Sequence, residues 1–194
     1  HLAGINISDR RWTKKQKKEI YLSRVGSAEF LYQKIKELNI SLKFFVSSSA
    51  VGWYGTITSD QIYTEQDCNA DDYLGQLCVQ WEAKADQFVN LGCKVSKVRT
   101  GIVLSSEGGA LPKMMWPIAC CLGAALGSGK QFVHWIHIDD LCAIYANLIN
   151  EHIPSGVYNG VAPETITNND FTCVIAEVLN KPLWLPNIPA WVLK

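Results

Sequence analysis

Along this chain of 194 residues the apolar positions switch repeatedly between two spacings, and that alternation most constrains the fold. Residues 14–38 carry Ala28, Leu31, Ile35 and Leu38 at helical intervals. KFFVSSS at 43–49 is too short and too continuously apolar for an amphipathic helix, and it reads as a strand buried on both faces. Residues 72–90 are helical again, with Leu74, Leu77, Cys78, Trp81, Ala85 and Phe88 on one stripe, a cap at Asp71 or Asp72 and a stop at Gly92. A strand at 94–100 follows, then a long loop, a short helix at 112–122, a turn at 127–129 and an extended QFVHWI at 131–136. A helix runs from Asp139 or Asp140 to Ile149, VYNG is a short strand, and 168–179 is a helix capped by Thr167 or Asn168. Strands separated by helices of this length predict an α/β fold, a parallel sheet with right-handed crossovers. Ligands of such sheets sit outside the carboxyl ends of the strands. Three expected ends, HLAG, SSSAVGWYG and RTGIVL, are rich in glycine and polar residues.

Charge narrows the partners. Lys plus Arg and Asp plus Glu both number 18, so no net charge draws a polyanion, and no nucleic acid is expected. The basic run KKQKKE at 14–19 reads as a solvated helix face. Seven cysteines with no C-x-x-C spacing are not a disulfide framework, which points to a reducing, cytoplasmic setting. Cys78, Cys93, Cys142 and Cys173 stand in apolar surroundings and read as small core residues. The longest apolar run, MMWPIACCLGAAL, contains Pro117 and is too short to cross a bilayer, so no membrane partner is expected. The chain opens at His1 on what reads as a strand end and closes on the apolar LPNIPAWVLK, which predicts a piece of a longer protein.

Several chemical motifs fail on inspection. GAALGSGKQ has Ala124 where a phosphate-binding loop needs its first glycine and Gln131 where it needs Ser or Thr, and it leads into a strand rather than a helix. His134 and His137 are three apart on an extended segment, so they point to opposite faces and no metal site is expected. His137 at a strand end is a pocket-lining candidate, and Trp12 reads either as a packing aromatic or as a substrate wall. Ser49 lacks the G-x-S-x-G elbow of a hydrolase nucleophile.

Taken in order, HLAG, FVSSSAVGWYG, RTGIVL, WIHIDDL and YNGVAPETITNNDF resemble the extended, nucleotide-sugar-epimerase-like branch of the short-chain dehydrogenase/reductase superfamily. More narrowly, LAGxNI…RRW…SR, SAVGWYG, LCxxWE, RTGIVLSxxGGAL and GSGKQxxxWIHIDDL resemble the NAD(P)-binding "epimerase family" over essentially the whole chain.

The resemblance implies a Rossmann-like parallel sheet with helices on both faces, incomplete here, and part of a small C-terminal substrate lobe. By it, 1–150 would be the C-terminal part of the NAD(P)-binding domain with crossover segments to the lobe, and 151–194 the remaining sheet element and the start of the C-terminal region. It implies NADP or NAD as cofactor, a small hydroxy or carbonyl substrate and a homodimer among the partners. The glycine-rich loop that cradles the pyrophosphate in relatives has no counterpart here.

By the same resemblance Leu2, Ala3 and Gly4 pass under the cofactor, Ser47 and Ser48 lie beside the nicotinamide ribose, and Gly101, Ile102 and Val103 face the nicotinamide. Arg24 takes a helix position where relatives often carry Asn, and Arg99 joins the cofactor set. Ser49 matches a serine that hydrogen-bonds substrate in active relatives. Those relatives pair it with Tyr-x-x-x-Lys on the next helix, where the lysine tunes the tyrosine for proton exchange. Here Tyr73 is followed four residues on by Leu77, and Leu74 by Cys78. Tyr73 and Tyr54 are the remaining phenols. Two functions stay open: an NAD(P)-dependent oxidoreductase or epimerase, and a catalytically silent NADP-binding protein that senses redox state or serves a partner.

Overall fold

The computed structural model describes residues 1–189; the last part of the expected C-terminal region, 190–194, lies outside the described residues. The helices are α1 (Lys14–Tyr21), α2 (Ser27–Glu37), α3 (Tyr73–Asp86), α4 (Ala110–Ala119), α5 (Ile138–Ile149) and α6 (Asn168–Val178). The strands are β1 (Phe44–Ala50), β2 (Lys94–Thr100), β3 (Ile102–Ser105), β4 (Gly108–Gly109), β5 (Phe132–Val133), β6 (Trp135–His137), β7 (Val157–Gly160) and β8 (Ile166–Thr167). A π turn at Leu22–Gly26 joins α1 to α2, so the long helix expected at 14–38 is continuous but locally widened. Among the described residues no helix is long and apolar enough to cross a membrane.

The chain divides into two units. The first takes His1–Ile57, Gln61–Thr100 and Ala143–Gly160. The second takes Thr58–Asp60, Gly101–Cys142 and the described residues from Val161 on.

The first unit is built on a parallel sheet of order β1-β2-β7, the α/β arrangement expected from the alternating periods. Its register aligns Ser49 with Arg99 and Arg99 with Asn159. β1 is not equally buried on its two faces. Phe45, Ser47 and Ser49 are fully buried, whereas Phe44, Val46, Ser48 and Ala50 are half-buried. Successive strand side chains alternate, so this places Ser47 and Ser49 on the helix-covered face and Ser48 on the other. Phe45 stacks on Phe88 with ring centroids 3.5 Å apart, in a core with Ile35, Ala85 and Cys93. α3 starts as predicted: the Asp72 carboxylate accepts from the Gly75 N–H at 2.9 Å, and the chain leaves the following 3₁₀ turn through Gly92 at φ 79°. A second apolar cluster, Ile20, Val25, Leu77 and Trp81, locks α1 and the π turn against α3.

In the second unit β3 pairs in parallel with β6 and antiparallel with β4. The expected single extended segment at 131–136 is two short strands, because Phe132–Val133 pairs with β8 while Trp135–His137 turns to β3. Ile118, Val133, Phe171, Ile175 and Ala176 form the core beneath α4 and α6. Gly127 and Gly129, at φ 57° and 71°, make the expected turn in place of a phosphate loop. One expectation is corrected. Cys78 and Cys93 are buried, but Cys142 and Cys173 are exposed, because each falls on the outer face of its helix.

Candidate functional site

The carboxyl ends of β1 and β2 hold a buried polar row in the first unit. Ser49, 2% exposed, donates its hydroxyl proton to Glu82 Oε1 of α3 at 2.7 Å. Arg99, also 2% exposed, grips the same carboxylate with both edges of its guanidinium, Nε to Oε1 at 2.8 Å and Nη2 to Oε2 at 3.1 Å. Its remaining nitrogen, Nη1, donates to the Tyr54 hydroxyl at 3.0 Å and the Glu65 carbonyl at 3.1 Å. With its oxygen accepting from Arg99, Tyr54 turns its proton toward Asn159 Oδ1 at 2.7 Å or the Thr64 carbonyl at 3.0 Å. The guanidinium also lies over the Trp53 ring, 3.7 Å from its centroid. Burial disfavours the Arg99 charge, but the bonds to Glu82 and Tyr54 outweigh it and hold the group above its ordinary value.

The structure therefore brings Ser49, Arg99 and Tyr54 together. Glu82 is the member that sequence reasoning missed. Its signal was a carboxylate four residues after Cys78 on the apolar stripe of α3, a place where a charge stays only if paired. Beside it, burial and then the neighbouring Glu82 push the Cys78 thiol up to about 11.

Tyr73 belongs to a different cluster. Its hydroxyl donates to the Lys17 carbonyl at 3.1 Å, its ring meets Trp12 edge-on at 5.5 Å, and Lys17 Nζ sits 4.5 Å from its centroid. Burial raises the Tyr73 phenol, and nearby Arg24 offsets only part of this. Trp12 is partly exposed and donates its indole N–H to the Ile7 carbonyl at 2.8 Å.

At the start of the chain His1 lies alongside β1: its amino group donates to the Val46 carbonyl at 2.6 Å, and the Ser48 N–H donates to the His1 carbonyl at 3.0 Å. Leu2, Ala3 and Gly4 continue from there as an exposed segment, with Leu2 70% exposed. A Cβ on Gly4 would stand 2.9 Å from Arg24 Cζ, the far end of a flexible side chain. Arg24 itself donates to the Ile5 carbonyl at 3.0 Å. Ser48 is half-buried, and its hydroxyl donates to the Ser49 carbonyl at 3.2 Å; Ser47 is fully buried and donates to the Ser48 carbonyl at 3.0 Å. Gly101, Ile102, Val103 and His137 are in the second unit. There a Cβ on Gly101 would meet the His134 carbonyl at 2.5 Å, the same carbonyl that accepts from the Ile102 N–H at 2.7 Å. His137 is exposed, 3.5 Å from the Asp139 carboxylate.

No family model matches the chain. Curated relatives do: an epimerase family protein of Staphylococcus saprophyticus is 38% identical over 191 residues, 97% of this chain and 63% of the relative. Among solved structures, the human epimerase family protein crystallised with NADPH superposes with a TM-score of 0.87 at 33% identity, over 99% of this chain and 66% of that one. This chain belongs to the epimerase family. A nucleoside-diphosphate sugar epimerase from Corynebacterium glutamicum is similar at 32% identity and TM-score 0.74, over 95% of this chain and 40% of that one. Membership in the epimerase family makes the sheet of the first unit Rossmann-like. The chain spans about 63% of the length of the curated epimerase family relatives it matches.

Proposed function

We propose that this chain is part of an NAD(P)-dependent oxidoreductase of the epimerase type, acting on a small hydroxy or carbonyl compound such as a sugar nucleotide. The observation that carries the reading is the polar carboxyl end of the β1-β2-β7 sheet in a chain 33% identical to an epimerase family protein solved with NADPH. The exposed segment Leu2–Gly4 fits a dinucleotide: an apolar side chain 70% exposed and a bare glycine backbone follow His1, which is bonded to the β1 backbone at Val46 and Ser48. Such ligands lie near the carboxyl ends of strands. Leu2, Ala3, Gly4, Arg24 and Ser48 would hold it in the first unit, with Ser47 and Arg99 fixing the strands behind. When bound, the nicotinamide supplies hydride transfer. Ser49, pinned by Glu82, would orient the substrate oxygen, with Tyr54 or Tyr73 as the phenol for proton exchange and Trp12 toward substrate.

One observation favours the second reading, a dinucleotide-binding protein without turnover. The hydroxyls of Ser49, Tyr54 and Tyr73 all donate to acceptors inside the protein. The purified protein should be titrated with NADPH and NADH, then followed at the reduced nicotinamide band against carbonyl compounds and sugar nucleotides. Turnover that Ser49→Ala abolishes supports the enzyme. Tight binding with no turnover across the panel supports the silent protein, and failure to bind either dinucleotide overturns both.

A further inference from the structure

Asn159 completes the polar row at the carboxyl end of the parallel sheet. The register sets it beside Arg99, as Arg99 stands beside Ser49, so the three side chains share one face. Three contacts hold it. β7 pairs with β2, the Asn159 backbone N–H donates to Glu65 Oε1 at 2.8 Å, and Asn159 Oδ1 lies 2.7 Å from the Tyr54 hydroxyl.

The direction of the amide follows from the arginine. A guanidinium has donors and no acceptor, so Arg99 Nη1 donates to the Tyr54 oxygen at 3.0 Å. Two oxygens 2.7 Å apart need a proton between them, and here it is the phenol's. Asn159 Oδ1 is therefore the acceptor, and Nδ2 with its two N–H groups is turned away from Tyr54. Among the described residues Nδ2 donates to no atom, yet it is not sealed in without a partner: the half-buried side chain leaves it open to solvent. Ser49, Tyr54 and Tyr73 differ, because each gives its one proton to an acceptor inside the protein.

We propose that Asn159 is a specificity-determining residue whose Nδ2 donates to a carbonyl oxygen of the ligand bound at the carboxyl end of the first unit's sheet. Tyr54 and Arg99 are its positioning residues. An amide N–H is not an acid at neutral pH, so Asn159 holds and orients that oxygen while proton exchange falls to another group. A neutral donor suits a neutral carbonyl, since it adds no charge to a row in which Arg99 and Glu82 already balance. The carbonyl could come from the nicotinamide carboxamide or from the base of a sugar nucleotide, and the chemistry is shared. The proposal rests on the reading of this chain as a dinucleotide-binding protein of the epimerase type.

Asn159→Asp is the deciding variant, because it keeps an oxygen for the Tyr54 proton and exchanges the two Nδ2 donors for a second oxygen. Wild type and variant should be titrated by calorimetry with NADPH, UDP-glucose and adenosine 2′,5′-bisphosphate, which carries no carbonyl. A loss of about tenfold, the equivalent of one hydrogen bond, is expected for NADPH or UDP-glucose with the bisphosphate unchanged, and the weakened partner names the source of the carbonyl. Unchanged affinity for both overturns the proposal and leaves dinucleotide binding intact. Equal loss for the bisphosphate overturns it too, because that describes general damage or repulsion of phosphate. A wild type that binds neither NADPH nor UDP-glucose overturns the proposal, and failure with NADPH and NADH overturns the dinucleotide reading as well. The Asn159 amide protons, assigned by through-bond correlation in labelled wild type, supply a readout that holds even if the variant unfolds. They should exchange rapidly with water in the free protein and shift on adding the ligand; a pair protected in the free protein would refute the open donor.

Discussion

Arg99 and Glu82 form a two-point ion pair with side chains 3% and 5% exposed, and the Ser49 hydroxyl is bonded to the same carboxylate. Two charges in so dry a place persist because each is fully satisfied: Glu82 by Arg99 and Ser49, Arg99 by Glu82, Tyr54 and a carbonyl. Removing one partner leaves the other charge buried. Glu82→Leu should lower unfolding stability by about 3–5 kcal/mol. The double variant Glu82→Leu with Arg99→Met should recover much of that loss in denaturant titration, and a purely additive double variant would refute the coupling.

Ser49→Ala deletes one hydrogen bond to a carboxylate and leaves the ion pair intact. About 1.5–3 kcal/mol of stability should be lost, with the fold retained. Urea midpoints check this, and an unchanged midpoint would mean that the bond contributes nothing.

Gly75 is the second tight point. A Cβ there would lie 2.1 Å from the Ala70 carbonyl oxygen, a backbone atom that cannot swing aside. Gly75→Ala should therefore destabilise by about 3 kcal/mol even though alanine is the better helix former. Thermal melts would settle the sign.

The cap of α3 gives a pH dependence. Burial raises the Asp72 carboxyl, but the N–H groups of Gly75 and Thr56 and the Thr56 hydroxyl outweigh it and leave it below the usual carboxylate range. Its stabilisation is full above the unfolded value near 4 and is lost as pH falls through the lower folded value. Asp72→Ala should cost about 1 kcal/mol at pH 7. The gap in melting temperature between wild type and variant should narrow as pH falls below about 4, and a gap independent of pH would exclude the carboxylate as its source.

Thiol reactivity should follow burial. With its thiol pushed up to about 11 and enclosed, Cys78 should resist alkylation at pH 8, while exposed Cys68, Cys120, Cys142 and Cys173 react. Peptide mapping after brief iodoacetamide treatment distinguishes the two groups.

Element order and the parallel sheet could be read from the alternation of periods, because a strand flanked by helices has few other ways to bury itself. Asp72 as a cap, Gly92 as a stop and VYNG as a strand are local facts, carried by residues within a few positions of each other. The family could be read too, from motifs that recur in order and are matched by relatives of 38% and 33% identity. The split of 131–136 into two strands could not be read, because partner choice depends on residues far along the chain.

What the sequence determined by itself was composition and local preference: a neutral α/β chain, three serines at a strand end, and no lysine four residues after Tyr73 or Leu74. What only tertiary structure decided was the direction each of those serines faces and what it meets. The two-residue period of β1 and the packing of α3 against it turn Ser49 inward onto Glu82, 33 residues away, and register brings Arg99 and Asn159 alongside. A hydrogen bond between distant residues depends on where two elements dock, and docking is set by the whole buried surface rather than by any local run of residues.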